Sequence, residues 1–221
     1  MVAVAPEALG LALLPYVAAF SAILVASLLL APRRLDEKKK GERAYYASSV
    51  MSLVHGTTVS ALSFGAGLQS ELWPLSWSTP WDFHLTTDTT HACINMFVAF
   101  LLVDLVPLFY YRRVWSSTGM YIGHHVCSIV SWSTCALTGT CHCVALALLL
   151  TEATAPFTNG RYFLSTAGHK DSTLYALNGV LMAISFFLLR VLGMGLIGVR
   201  VFIVERERFF ALHPAQTSML V

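Results

Sequence analysis

An unbroken stretch of 24 uncharged residues, Ala8–Ala31, constrains this 221-residue chain more than any other feature. A helix crosses the hydrocarbon core of a bilayer with about 20 apolar residues, so this stretch is long enough to span it. A cleaved signal peptide is disfavoured, because no Lys or Arg precedes the stretch and its apolar run exceeds the roughly 7–15 residues of a signal core. The sequence therefore predicts an uncleaved membrane anchor.

The composition of the whole chain supports the same conclusion. Apolar residues make up 56% of it and charged residues 12%, against about 45–50% and about 25% in soluble domains. Half of the charged residues lie in two short stretches, 33–43 and 205–208. The long apolar runs elsewhere exclude a water-soluble enzyme, a disordered chain and a coiled coil. A net charge of +2 gives no indication of a nucleic-acid partner.

Further apolar runs predict an all-α, polytopic membrane protein with about six transmembrane helices. The fifth run is interrupted by polar residues and by Pro156, so its polar face must meet protein or a water-filled cavity. The predicted spans are Ala8–Ala31, Ala44–Gly67, Ala92–Tyr111, Thr118–Gly139, Cys143–Leu164 and Leu174 to about Ile203.

The distribution of Lys and Arg predicts the orientation of these spans. The loops on one side carry ten of the fourteen basic residues and the loops on the other side carry three, at 200, 206 and 208. Positive residues are retained in the cytosol, so the N-terminus is expected outside it. The loop with Trp73, Trp77 and Trp81 then lies on the lumenal side, where Trp favours the membrane interface.

Six titratable side chains fall within the predicted spans, where each costs roughly 2.5–3.5 kcal/mol on insertion scales. At about 1.5 Å per residue, three of them lie about 10 Å from the cytosolic ends of their helices and the others nearer the middle. We expect all six to converge on one cavity open toward the cytosol. They are His55, Asp104, His124, His125, Glu152 and Arg190.

Helical phase ranks the two adjacent histidines. His124 belongs to a polar stripe with Tyr121, Ser128 and Cys135, whereas His125 lies about 100° around the same helix. The phase therefore makes His124 the first candidate for chemistry, as base, acid or nucleophile near neutral pH. In the fifth span, Asn159 shares a polar face with Glu152.

A purely structural interpretation of these groups stays open. Either Asp104 or Glu152 would pair with Arg190, and the histidines would hydrogen-bond neighbouring helices to fix the bundle. Such a pairing is a common role for a buried guanidinium.

The remaining motifs predict neither a cofactor nor a metal. The G-x-G-x-x-G spacing at residues 193–198 lies in a hydrophobic helix with no preceding strand, so it favours close packing. Cys141, His142 and Cys143 lack the second pair of ligands that a zinc site needs. A disulfide from Cys93 to Cys141 or Cys143 stays open if the lumenal side is oxidising.

Three motifs together carry a family resemblance. Asp104 late in one helix, Gly-His-His at 123–125 in the next, and the sequence Thr-Glu-Ala-Thr-Ala-Pro-Phe-Thr-Asn-Gly-Arg-Tyr-Phe-Leu at 151–164 resemble the TLC-domain family, which includes the ceramide synthases. The resemblance extends over roughly residues 45–195 and is closest to the small TLC-domain-containing proteins. It divides the chain into an anchor and basic cytosolic loop (1–43), a TLC domain (44–204) and a short charged tail (205–221).

The resemblance implies a helical bundle around a central cavity and a role in membrane lipid homeostasis, with a bound lipid or fatty acyl chain. In the ceramide synthases, an acyl group passes from acyl-CoA to an amine. By position, His124 and His125 would be the catalytic pair, with Asp104 and Glu152 as acidic partners. Thr151-Glu152 stands where those enzymes have His-Asp.

Two alternatives to a lipid-binding function follow from the same resemblance. One is an N-acyltransferase that uses acyl-CoA as substrate, and the other is a structural subunit of a larger membrane assembly. The last helix usual in the family is not evident in the sequence, so a membrane-protein partner is expected in its place. Membrane lipids are the other expected partners. The endoplasmic reticulum is the expected compartment, with another internal membrane or the plasma membrane as alternatives.

Overall fold

The structure is a computed structural model that describes residues 5–38, 40–69, 72–73 and 78–212. The described residues form helices and loops, with no strand among them, as the sequence predicts. The α-helices are α1 (Pro6–Leu30), α2 (Arg34–Lys38), α3 (Glu42–Gln69), α4 (Asp88–Tyr110), α5 (Thr118–Thr138), α6 (His142–Leu149), α7 (Ala155–Thr166), α8 (Thr173–Ser185), α9 (Met194–Val199) and α10 (Arg206–Phe210). A 3₁₀ segment, Leu150–Thr154, joins α6 to α7, and π-helical turns, Phe186–Gly193 and Arg200–Val204, make 173–204 one continuous last helix.

Within the described ranges, three helices are long and apolar enough to cross a membrane: Pro6–Leu30, Asp88–Tyr110 and Thr173–Val204. They coincide with the first, third and sixth predicted spans. The other three predicted spans correspond to α3, α5 and the α6–α7 run, which carry more polar residues. The chain is thus a helical membrane protein, and the full count of six spans stays a prediction.

Local sequence explains where several of these helices begin and end. Thr87 caps α4, since its hydroxyl accepts a hydrogen bond from the Thr90 amide at 3.2 Å, which satisfies a free helix-terminal N–H. α5 ends at Gly139, which adopts the left-handed conformation (φ +62°) that glycine tolerates. The α6–α7 run tightens to 3₁₀ just before Pro156, which has no N–H to donate to the preceding turn.

α3 and α4 form the centre of the bundle. α1 packs against both, α5 packs mainly against α4, and α3 also packs against the 3₁₀ segment and α7. The last helix packs against α6, α7 and the 3₁₀ segment. Among the described residues, α5 and the last helix do not pack against each other.

Loops that the orientation rule assigns to one side meet in the structure. At the predicted cytosolic end, Trp115 Nε1 donates to the Gly41 carbonyl at 3.3 Å and the Tyr162 hydroxyl donates to Glu42 at 2.9 Å. At the other end, the Cys141 amide donates to the Phe83 carbonyl at 2.7 Å. We call residues 78–91, 139–142 and 200–212 the lumenal end, following the predicted orientation. Trp77 lies outside the described residues.

The described part of the predicted charged tail is packed into the lumenal end. Phe209 is fully buried and lies 5.9 Å from the Phe83 ring, measured between ring centroids. Glu205 accepts a hydrogen bond from the Trp81 amide at 3.0 Å and pairs with Arg200 at 2.8 Å. Residues 205–212 therefore pack onto the folded body, although they belong to the stretch predicted as a short charged tail.

Candidate functional site

A buried carboxylate–histidine pair joins α4 to α5. Asp104 Oδ2 lies 3.0 Å from His125 Nε2, and the two side chains are 11% and 9% exposed. The other carboxylate oxygen, Oδ1, accepts a hydrogen bond from the Ser48 hydroxyl of α3. Residues of α3, α4 and α5 thus fix this carboxylate. Ser48 was not predicted as a site residue, although its spacing from Ser52 and His55 places all three on one polar face of α3.

The pairing assigns the protons of His125. A carboxylate only accepts hydrogen bonds, so Nε2 is the donor and Nδ1 of the neutral ring carries the lone pair. Nδ1 is buried and has no hydrogen-bond partner among the described residues. His125 therefore has a carboxylate on one side and a free basic nitrogen on the other, an arrangement that suits proton transfer.

The predicted phase of α5 requires a correction. His125 and Ser128 are buried, whereas His124 and Tyr121 are exposed. The inward face therefore runs through His125, and His124 stands beside it, 6.0 Å away between ring centroids. The polar stripe did not predict the buried face of α5, because that face also carries apolar rings. One of them is Trp132, which contacts Phe97 of α4. The catalytic roles of both histidines stay predictions.

A second ion pair joins the 3₁₀ segment to the last helix. Arg190 Nη2 lies 3.4 Å from Glu152 Oε1, and Arg190 Nε donates to the Thr154 hydroxyl at 3.2 Å. The Arg190 and Glu152 side chains are 34% and 23% exposed. Of the two pairings left open by the sequence, the structure shows Arg190 with Glu152, while Asp104 pairs with His125.

The two pairs both border α3. Ser48 of α3 bonds Asp104, and the backbone of Glu152 packs against α3 at Gly56. We call Asp104, His125, Glu152 and Arg190 the paired-charge site. Four of the six predicted titratable groups therefore form two pairs here, and the ring of His124 lies 6.0 Å from that of His125, measured between centroids. The convergence of all six on one cavity stays a prediction.

Close helix packing positions Glu152. A Cβ placed on Gly56 of α3 would lie 2.9 Å from the Glu152 carbonyl oxygen, so only glycine lets α3 approach the 3₁₀ segment this closely. One turn away, Asn159 Nδ2 donates to the Ser52 hydroxyl at 3.3 Å and fastens α7 to α3. Asn159 thus supports the site rather than facing Arg190 directly.

His55, the sixth predicted group, lies apart from the paired-charge site. Its ring is fully buried and stacks on Phe100, with ring centroids 4.0 Å apart. It interacts electrostatically with His125 but makes no hydrogen bond to any described residue.

The other candidate ligands do not form a metal centre in the part of the chain that the structure describes, since no group of three or more His, Cys, Asp or Glu side chains is placed to hold an ion there. All five cysteine thiols are free. His142 is instead hydrogen-bonded, through Nδ1 to the Thr90 hydroxyl at 2.7 Å and through Nε2 to the Cys135 carbonyl at 3.2 Å.

The fold and the site define a helical membrane protein with a buried carboxylate–histidine pair between its central helices. A family model described as the TLC domain matches residues 46–218. The chain therefore belongs to the TLC-domain family, which confirms the resemblance carried by Asp104, residues 123–125 and residues 151–164. No match was found to a curated protein or to a solved structure.

Proposed function

We propose that this protein binds a membrane lipid or fatty acyl chain, with the lipid's polar end at the paired-charge site, and acts in membrane lipid homeostasis. In this proposal the chain spans the membrane six times, with its N-terminus outside the cytosol and the endoplasmic reticulum as its compartment. A membrane-protein partner beside the last helix completes the proposed assembly.

One observation carries the proposal: the paired-charge site lies between helices that carry exposed apolar side chains. Among the described residues, α5 and the last helix do not pack together; α5 carries His124 and His125, and the last helix carries Arg190. Exposed apolar side chains on these two helices include Val130 of α5 and Leu181 of α8. A ligand with an apolar chain and one polar end matches this combination of surfaces.

Photolabelling of the purified full chain in lipid nanodiscs tests the proposal. A photoreactive fatty acid should crosslink to α5 and to the last helix, and excess unlabelled fatty acid should compete. Arg190→Gln and Asp104→Asn should reduce the crosslink, while His169→Ala, at an exposed position after α7, serves as the matched control. Labelling spread evenly over α1 and the other apolar surfaces would contradict the proposal.

Acyl transfer is the second candidate, and the His125–Asp104 geometry favours it. A histidine held by a carboxylate with its other nitrogen free is the arrangement of a general base. In this reaction, His125 Nδ1 takes a proton from an amine as the amine nitrogen attacks an acyl thioester. The C–S bond breaks, the amide forms, and the proton leaves with the thiolate as a thiol.

Intact mass after incubation with long-chain acyl-CoA separates the nucleophilic version of this reaction from binding. An added mass of one acyl chain, lost in His124→Ala or His125→Ala, establishes an acyl-enzyme and identifies the histidine that carries it. An unchanged mass, together with amide product once a long-chain amine is added, establishes direct transfer, and an unchanged mass without product leaves binding as the function.

A further inference from the structure

Arg161 is held in the crossing between α7 and α8. A Cβ placed on Gly179 would lie 2.6 Å from Arg161 Nη1, so the guanidinium lies directly against the α8 backbone. Its central carbon also lies over the Tyr175 ring, 4.0 Å from the ring centroid. The crossing itself is fastened by Asn178, whose Nδ2 donates to the Phe157 carbonyl at 2.8 Å. Two contacts with α8 therefore give the guanidinium a defined position.

These contacts leave the hydrogen-bond donors of Arg161 unused. Within the described residues, Arg161 makes a cation–π contact with Tyr175 but neither a hydrogen bond nor an ion pair. A cation–π contact uses the charge of a guanidinium and none of its N–H donors. Because Arg161 is half-buried rather than enclosed, a ligand can reach these donors.

A carboxylate partner distinguishes the other arginines that are not exposed. In the part of the chain that the structure describes, each of them has one: Arg43 pairs with Asp36, Arg190 with Glu152, and Arg200 with Glu205. Such pairs fix the packing of the chain. Arg161 is positioned by its neighbours in the same way, but its charge is left uncompensated. This difference favours a ligand in the place of the carboxylate.

The depth of Arg161 indicates which anion this ligand supplies. The predicted topology places Arg161 about 5 Å inside the cytosolic end of the fifth span. The headgroup layer of each leaflet is about 5–7 Å thick, so phosphate groups at the membrane surface are within reach of this side chain. The fork of a guanidinium matches two oxygens of a phosphate. Basic pockets between transmembrane helices on the cytosolic side bind such groups.

We propose that Arg161, positioned by Tyr175 and Gly179, binds a phosphate group at the cytosolic membrane interface, supplied either by a phospholipid headgroup or by a soluble phosphate compound. We call these three residues the α7–α8 phosphate site. The loop that joins α7 to α8 adds no net charge, since Lys170 and Asp171 cancel. The guanidinium therefore carries the recognition.

The α7–α8 phosphate site is separate from the paired-charge site. Arg161 is nine residues beyond Glu152, about 13 Å further along the chain of helical turns. The proposal therefore does not depend on fatty acid binding at the paired-charge site. Photolabelling by the fatty acid should be unchanged in Arg161→Gln, so the failure of either proposal can be recognised separately.

Native mass spectrometry of the full chain, released from maltoside micelles, tests the site with three probes. Dioleoyl phosphatidic acid carries a phosphate and two acyl chains, dioleoylglycerol carries the same chains alone, and glycerol phosphate carries the phosphate alone. We expect phosphatidic acid to bind about tenfold more tightly than dioleoylglycerol. Weaker binding of glycerol phosphate establishes a phospholipid as the source, and equal binding establishes a soluble phosphate. Equal binding of phosphatidic acid and dioleoylglycerol overturns the proposal.

Variants at the crossing show whether this preference comes from Arg161. Arg161→Gln should remove the preference for phosphate, and Arg161→Lys should keep part of it, because Lys retains the charge without the fork. Gly179→Ala should weaken the preference while Arg161 is still present, because the added methyl displaces Nη1. Gly195→Ala is the matched control, since nothing lies within 4 Å of that position. A preference that survives both Arg161→Gln and Gly179→Ala overturns the proposal.

Melting temperatures separate phosphate binding from a purely structural role. Without lipid, Arg161→Gln should unfold close to the native chain, because the substitution breaks no hydrogen bond or ion pair among the described residues. Phosphatidic acid should raise the melting temperature of the native chain and of Gly195→Ala but not of Arg161→Gln. The same rise in all three would show that Arg161 acts only in packing, and the proposal would fail. If Arg161→Gln does not fold, Gly179→Ala decides the question in its place.

Discussion

The lumenal end and the paired-charge site use similar residues in opposite ways. At the lumenal end, Arg200 and Glu205 pair at 2.8 Å with side chains only 5% and 4% exposed, and the same carboxylate oxygen binds the Trp81 amide. His142 has both ring nitrogens bonded. In the paired-charge site, Arg190 stays about one-third exposed and the free nitrogen of His125 has no described partner.

This contrast distinguishes charged groups that stabilise the fold from charged groups that are available to bind a ligand. Buried charges that are fully enclosed and hydrogen-bonded fix one arrangement of the chain, here the fold of residues 205–212 onto the loop at 78–86. Polar groups that are held in place but left partly unpaired remain able to bind something else. Changes at the lumenal end should therefore act on stability, and changes at the paired-charge site should act on ligand binding.

The largest effect is expected from breaking the Arg200–Glu205 pair. Glu205→Ala leaves the Arg200 guanidinium buried without its carboxylate, which costs about 3–5 kcal/mol. Thermal unfolding in detergent should show a large fall in the melting temperature. The double variant Arg200→Met with Glu205→Leu should recover much of it, because no unpaired charge remains. A single variant as stable as the native chain would show that the lumenal end is not held by this pair.

His142→Phe should come next, with a loss of about 1–3 kcal/mol. It removes two hydrogen bonds of a completely buried imidazole, one between Nδ1 and the Thr90 hydroxyl and one from Nε2 to the Cys135 carbonyl. Unfolding of this variant is compared with that of His169→Phe, whose position is exposed. Equal melting temperatures for the two variants would show that the hydrogen bonds of His142 do not stabilise the lumenal end.

Gly56→Ala should destabilise by about 1–3 kcal/mol through overpacking. The added methyl would lie 2.5 Å from Ala155 Cβ and 2.9 Å from the Glu152 carbonyl, so α3 and the 3₁₀ segment must move apart. Gly195→Ala is the matched control, since nothing lies within 4 Å of that position, and it should be neutral or slightly stabilising. If acyl-chain photolabelling falls in Gly56→Ala but not in Gly195→Ala, the contact between α3 and the 3₁₀ segment is needed for the paired-charge site.

Asp104→Asn should separate binding from stability. It removes the charge that holds His125 while keeping the size of the side chain, so we expect acyl-chain affinity to fall about tenfold, equivalent to about 1.4 kcal/mol. The melting temperature should change much less than in Glu205→Ala. A variant that binds normally but unfolds early would place Asp104 with the structural residues of the lumenal end.

The smallest consequence is expected at Cys141, in the loop between α5 and α6. Burial raises the pKa of its thiol to about 12, so the thiol stays neutral near pH 8 and becomes a nucleophilic thiolate only as the pH approaches that value. Alkylation at pH 8 should be far slower at Cys141 than at a cysteine introduced at the exposed position of His84. Equal rates would show that the lumenal end opens readily, and absence of a free thiol would point to a disulfide.

Sequence reasoning identified most residues of the candidate site but left open which of them pair with each other. Titratable groups inside apolar runs are costly, so Asp104, Glu152 and Arg190 could be selected without a structure. Helical phase did not predict which of His124 and His125 is buried, because a polar stripe and a packed aromatic face compete on one helix. The roles of Ser48 and Thr154 depend on contacts between helices that no local pattern specifies.

The sequence by itself determined that this is a helical membrane protein of the TLC-domain family, because span length, apolar composition and the 151–164 motif are properties of local sequence. Tertiary structure decided which charges pair, which histidine is buried and where residues 205–212 fold. These outcomes depend on how helices distant in the chain pack, through close approaches such as Gly56 against the 3₁₀ segment. Packing between helices is set by the joint fit of many side chains, so it is fixed only when the whole bundle has formed.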